Sequence, residues 1–133
     1  KFNSNLLIPI KPPQVSFSFR FYDTVSQEYC ISEWQKDKIL LSLEKLKDIN
    51  DKTYNDLVGS SRTYHFHPVP WEKTIKKGGF PDPRANNLDP YQFELVGVNS
   101  GKARIYGAYA QNVFYIVWFD LEHKIWPTFK KYT

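Results

Sequence analysis

Cysteine is almost missing from this 133-residue chain. Cys30 stands alone, which excludes an intrachain disulfide and any cysteine-built zinc cluster, and makes a reducing cytoplasm the expected location. Long apolar runs are missing too: the longest, Val113–Phe119, is far too short to cross a bilayer, so no membrane association is expected. No secretory signal is visible in a sequence that starts at Lys1. Glycine is sparse, and neither Gly78-Gly79 nor Ser100-Gly101-Lys102 precedes a helical pattern, so a phosphate-cradling loop is not expected. There is no Gly-x-Ser-x-Gly elbow, and Cys30 has no neighbouring histidine, which argues against those nucleophilic hydrolases.

Aromatic residues are plentiful. Phe, Tyr and Trp make 17% of the chain, enough to fill a compact core at single-domain length. The net charge is +4, and the excess lies wholly in the second half: residues 1–61 hold eight basic and eight acidic groups, residues 62–133 ten and six. That bias leans toward an anionic partner such as nucleic acid.

Residues 1–14, with Pro9, Pro12 and Pro13, form an extended lead-in, and residues 15–133 one domain. Strict alternation over Val15–Asp23 predicts a strand with Val15, Phe17, Phe19 and Phe21 on the core face. Ser32 and Gln35 have capping-box spacing ahead of an amphipathic helix of about 16–18 residues, with Ile39, Leu40, Leu43, Leu46 and Ile49 on its apolar face. Thr53 caps a short second helix ending near Gly59, and Thr63–His67 is a short strand candidate. Residues 68–91 form a long Pro/Gly/Lys loop, of the kind that is functional or disordered. Strands over Gln92–Val98, Lys102–Tyr109 and Val113–Phe119 follow, the last covered on both faces, with an edge segment at Ile125-Trp126. The expected fold class is α+β: an N-terminal strand, two helices, then an antiparallel β meander with the helices on one sheet face.

The chemistry-bearing residues are few. His65 and His67, two apart on a strand, share a face, and His123 reaches them only through the fold. Three histidines with an open fourth position suit zinc; a single histidine suits acid–base work near its ordinary pKa; stacking among Tyr64, Phe66 and Trp71 is the plainer reading. Arg104 and Tyr106 share a strand face, with Lys102 beside them, and so offer a cation for phosphate and a ring for a base. The plainer reading of Arg104 is a solvent-facing side chain whose stem covers apolar surface. Lys73, Lys76, Lys77 and Arg84 make the loop basic.

The segments Phe93–Gly107, Val113–Asp120 and His123-Lys124 resemble the C-terminal half of the RelE/ParE-like toxin superfamily, and the order of elements matches over residues 15–126. The resemblance implies a toxin of a toxin–antitoxin pair. It would cleave ribosome-bound messenger RNA without a metal or other cofactor, using the 2′-hydroxyl as nucleophile, under control of an antitoxin protein. On that reading Arg104 stabilises the scissile phosphate, His123 is the general acid or base, and Tyr106 is a lesser catalytic candidate. Lys102, Lys73, Lys76, Lys77, Arg84, His65, His67 and Lys130 contact RNA, and Lys131 and Tyr132 are lesser candidates. Glu94 stands where some members carry a basic pair, and the His65–Arg84 region is an insertion. The alternative is a non-catalytic α+β module that binds a protein, as the ParE-type topoisomerase inhibitors do, or nucleic acid.

Overall fold

The chain builds a five-stranded mixed sheet in the order β1-β5-β4-β3-β2, and the computed structural model describes residues 13–127. β1 (Ser16–Ser18) runs parallel to β5 (Val113–Asp120). β5, β4 (Arg104–Ala110), β3 (Asp89–Glu94) and β2 (His67–Pro68) are successively antiparallel. The expected α+β class, with an N-terminal strand, helices and then a largely antiparallel sheet, is the one found. Among the described residues, no helix is long and apolar enough to cross a membrane.

The helices lie on one sheet face. α1 (Lys36–Ile49) and α2 (Tyr54–Gly59) place Leu46, Ile49 and Leu57 in a core with Phe93, Ile105, Phe114 and Ile116. A third, one-turn helix, α3 (Ser61–Tyr64), leads into β2. Thr53 caps α2 as expected: its hydroxyl accepts from Asp56 N–H while the Asp56 carboxylate accepts from Thr53 N–H. The Ser32–Gln35 capping box does not form. Ser32 lies inside a 3₁₀ turn, Ile31–Glu33, against the Cys30 thiol, and α1 starts only at Lys36, with 14 residues.

The opposite sheet face is covered by the long segment after β2. Its expected irregularity is real, but it is packed rather than loose. Phe80 and Ala85 are buried with Tyr106, Val117, Trp118 and Ile125, and Trp71 stands edge-on to Phe80 at 4.8 Å. The aromatic surplus of this region therefore serves two cores: Trp71 and Phe80 this one, Tyr64, Phe66 and Tyr91 the helix-side one. β5 is covered on both faces, as its unbroken apolar run predicts.

Several boundaries depart from the pattern-based expectation. The strand expected over Val15–Asp23 stops at Ser18, because pairing with β5 ends there and Tyr22 N–H turns back to the Phe19 carbonyl. Phe19 is left exposed, and Phe21 packs on Tyr115 across the sheet from Tyr22. Thr63 and Tyr64 belong to α3, so only His67 of the Thr63–His67 candidate enters a strand. β3 and β4 end and begin at Glu94 and Arg104, because Asn99, Ser100 and Gly101 all take positive φ and fold the connection into a wide turn. By contrast Gln111 and Asn112, with φ of 50° and 67°, form the tight two-residue turn expected between β4 and β5. The Ile125-Trp126 segment adds no edge strand; Ile125 is buried and its carbonyl accepts from Ile75 N–H.

Candidate functional site

Antiparallel register decides which side chains meet. Glu94 pairs with Arg104, and Arg104 with Asp120; one step along, His67 pairs with Gln92, and Gln92 with Tyr106. With alternation along each strand, these residues share the loop-side face at one end of the sheet. A cavity of about 500 Å³ opens there, lined by His65, His67, Gln92, Arg104, His123, Trp126 and Pro127. All three histidines of the chain thus meet at one arginine.

Each histidine is delivered by a different device. His67 is held by β2 pairing to β3. His65, just before it, takes φ 50°, and its carbonyl accepts from Gln92 Nε2 at 2.9 Å. His123 takes φ 58° in the turn after β5. That turn is closed by Asp120, whose two carboxylate oxygens accept from Lys124 N–H at 2.9 Å and Ile125 N–H at 2.7 Å. Of the six non-glycine residues with left-handed backbone among the described residues, His65 and His123 lie in the pocket and the other four in the turns between strands.

Arg104 is 8% exposed. Its Nη1 donates to the carbonyls of Gly101 at 2.7 Å and Ala103 at 3.3 Å, and lies 3.7 Å from Glu94 Oε1. The same Glu94 oxygen is 3.3 Å from His65 Nε2, so one carboxylate faces both groups. Nε is buried without a hydrogen-bond partner among the described residues. The Nη1 side of the guanidinium is therefore anchored while its Nε–Nη2 edge is unbonded among the described residues. That edge is the fork that grips an oxyanion in two parallel hydrogen bonds.

Electrostatics keep two imidazoles neutral. Burial, then the Arg104 cation and His65, bring the His123 pKa down to about 4. The same influences, burial first, hold His67 below its ordinary value. Burial also lowers Arg104, against the attraction of Glu94, and raises Asp120, against its two backbone hydrogen bonds. At neutral pH His67 and His123 are proton acceptors, and the Glu94 carboxylate lies beside the His65 ring.

The residues singled out in the sequence divide in two. Arg104, His65, His67 and His123 converge. Arg104 is not the solvent-facing side chain of its plainer reading, and Tyr106, fully buried beneath the pocket, presents no face for a base to stack on. The basic groups of the loop do not line the cavity. Lys76 lies over the Tyr29 and Trp118 rings at 4.9 and 5.1 Å, and Arg84 is tied to Asp82 and lies over Phe21. Lys73 is exposed, and Lys77 donates to the Glu72 carbonyl. Lys102 precedes β4 rather than starting it, with Nζ 3.9 Å from Glu122. Lys130, Lys131 and Tyr132 lie outside the described residues.

Gln92, Glu94, Asp120 and Trp126 belong to the site without having stood out in the sequence. Gln92 and Glu94 have the parity that pairs with Arg104 and Tyr106, the one signal that points to them. The three-histidine zinc reading finds no support in the geometry: among the described residues, no three histidine, cysteine or carboxylate side chains are placed to hold one ion. The His65 and His67 rings meet edge to face, with centroids 5.9 Å apart. No protein-family model, curated protein or solved structure matches this chain.

Proposed function

We propose that this protein is an endoribonuclease that cleaves by transphosphorylation. The observation that carries the reading is the meeting of three histidines with the unbonded fork of a buried arginine in one cavity. The Arg104 fork takes two oxygens of the scissile phosphodiester and stabilises the charge that builds there. His123 removes the proton of the 2′-hydroxyl, whose oxygen attacks phosphorus. The bond to the 5′-oxygen breaks, and His65, supported by Glu94, gives that oxygen a proton. The products are a 2′,3′-cyclic phosphate and a free 5′-hydroxyl. The bound anion offsets the Arg104 charge and so raises the proton affinity of His123, which matches it to its role as base.

The resemblance to RelE-like toxins supplies the setting: messenger RNA as substrate and an antitoxin as partner. One feature favours the alternative, a protein-binding module. Leu40 and Leu43 on α1 are 62% and 53% exposed, and together with Ile39 they line an open apolar groove.

Incubating the purified protein with single-stranded RNA, and with messenger RNA on ribosomes, separates the readings. The proposal expects fragments ending in 2′,3′-cyclic phosphate. Arg104→Lys, which keeps the charge and loses the fork, should slow cleavage by roughly 10²-fold. His123→Asn, which tolerates the left-handed backbone, should slow it by a similar factor. Intact RNA with both substrates, together with one stable protein partner, would overturn the catalytic reading in favour of the binding module.

A further inference from the structure

Gln92 carries a polar atom that the described residues leave unused. The side chain is 4% exposed and lines the histidine cavity. Its amide cannot be turned over freely: the His65 carbonyl only accepts, so Nε2 must face it, at 2.9 Å. Oε1 is thereby directed away from His65, and it is buried with no hydrogen-bond partner among the described residues. Its cross-strand neighbour Tyr106 has a hydroxyl that makes no bond to it. A buried acceptor left unmade is costly, and in a ligand cavity the natural partner is a donor on the ligand. Arg104, the adjacent residue on that sheet face, has the complementary vacancy, a buried donor at Nε.

Both vacancies belong to residues that line the cavity, and together they call for a donor close to an anionic oxygen. We infer that Gln92 Oε1 accepts a hydrogen bond from the ribose 2′-hydroxyl next to the phosphodiester held by Arg104, so that Gln92 is a positioning residue that selects RNA over DNA. The sugar–phosphate backbone of RNA has one donor, the 2′-hydroxyl, and that of DNA has none. Holding the 2′-hydroxyl at Gln92 also aims its oxygen at phosphorus before His123 takes the proton. This inference rests on the endoribonuclease reading and adds to it the group that recognises the nucleophile.

The test measures binding and cleavage together. In the His123→Asn background, where cleavage is slowed, an RNA oligonucleotide should bind about 10-fold more tightly than DNA of the same sequence. Gln92→Leu in that background should bring the ratio below about 2 by weakening RNA binding alone, with DNA affinity unchanged. A purely structural role would weaken both together. Should Gln92→Leu fail to fold, the His123→Asn protein alone decides: one 2′-fluoro substitution at the cleaved position, which removes the donor, should lose as much affinity as 2′-deoxy. An unchanged RNA-to-DNA ratio in Gln92→Leu, or 2′-fluoro binding as tightly as 2′-hydroxyl, overturns the role of Gln92 while cleavage by the parent protein stands. Absence of cleavage with equal binding of RNA and DNA overturns both readings.

Discussion

Asp120→Asn is the most informative single change, because one side chain closes the turn that carries His123. Both Asp120 oxygens accept backbone N–H groups, from Lys124 at 2.9 Å and Ile125 at 2.7 Å, in a site that is 1% exposed. An asparagine keeps one acceptor and turns an NH₂ group toward the other N–H. The loss is one charge-assisted bond, about 1.5–3 kcal/mol, plus a buried N–H left unmade, about 1–3 kcal/mol. Part of this is returned, since burial already disfavours the Asp120 carboxylate and asparagine carries no charge. The net destabilisation is about 2–3 kcal/mol, and for a domain of this size that lowers Tm by roughly 10 °C. Urea and thermal unfolding of the parent and Asp120→Asn, read by near-ultraviolet signals from Trp118 and Trp126, give the number directly. Cleavage should fall at least 10-fold at temperatures where the variant stays folded, because His123 is no longer held at φ 58°. A Tm within about 2 °C of the parent would refute the account of Asp120 as the anchor of this turn.

Two further expectations concern the frame and its titration. Gly107→Ala should destabilise by about 2–3 kcal/mol in urea unfolding, since its Cβ would collide with the Tyr115 carbonyl and stand 2.7 Å from the Phe114 ring; a loss under about 0.5 kcal/mol would show that β4 and β5 yield at this contact. The depressed His123 pKa, about 4 against an unfolded value near 6.5, means that between those pH values the unfolded chain binds more protons, so stability is full above pH 6.5 and falls on acidification toward pH 4. Allowing for its partial exposure the loss is on the order of 1–2 kcal/mol, His67 adds to it with the same sign, and Asp120, with a raised pKa, opposes it. Urea midpoints between pH 4.5 and 7.5 should slope less steeply in His123→Asn than in the parent; equal slopes would remove His123 from the acid response.

The fold was legible where one physical signal acted alone. The unbroken apolar run of Val113–Phe119 predicts a strand buried on both faces, and β5 is that strand. The Thr53 capping box and the Gln111-Asn112 turn are local chemistry, and both form. Local pattern failed where tertiary partners decide. Alternation continues through Phe21, yet β1 ends at Ser18, because Phe21 and Tyr22 have better partners in Tyr115 and Phe119 on opposite sheet faces. Ser32 has the spacing of a cap, but the 3₁₀ turn it occupies delays α1 to Lys36.

The site follows the same division. Residue type marks Arg104 and the three histidines, but their meeting is a fact of register, which sequence alone does not fix across a wide turn such as 95–103. The lysine-rich loop illustrates the converse. Its charges suggest a phosphate track, yet Lys76 and Arg84 are spent on aromatic rings and on Asp82. What singles out the cavity is therefore not an excess of positive charge, since Glu94 and Asp120 flank Arg104 on the neighbouring strands. A site balanced in this way gains little from diffuse attraction to a polyanion and must recognise its ligand by fixed donors and acceptors at short range. The unbonded Arg104 fork and the unpaired Gln92 oxygen are such groups, and on the proposed reading they make the chemistry of one nucleotide linkage, rather than bulk charge, the determinant of what enters.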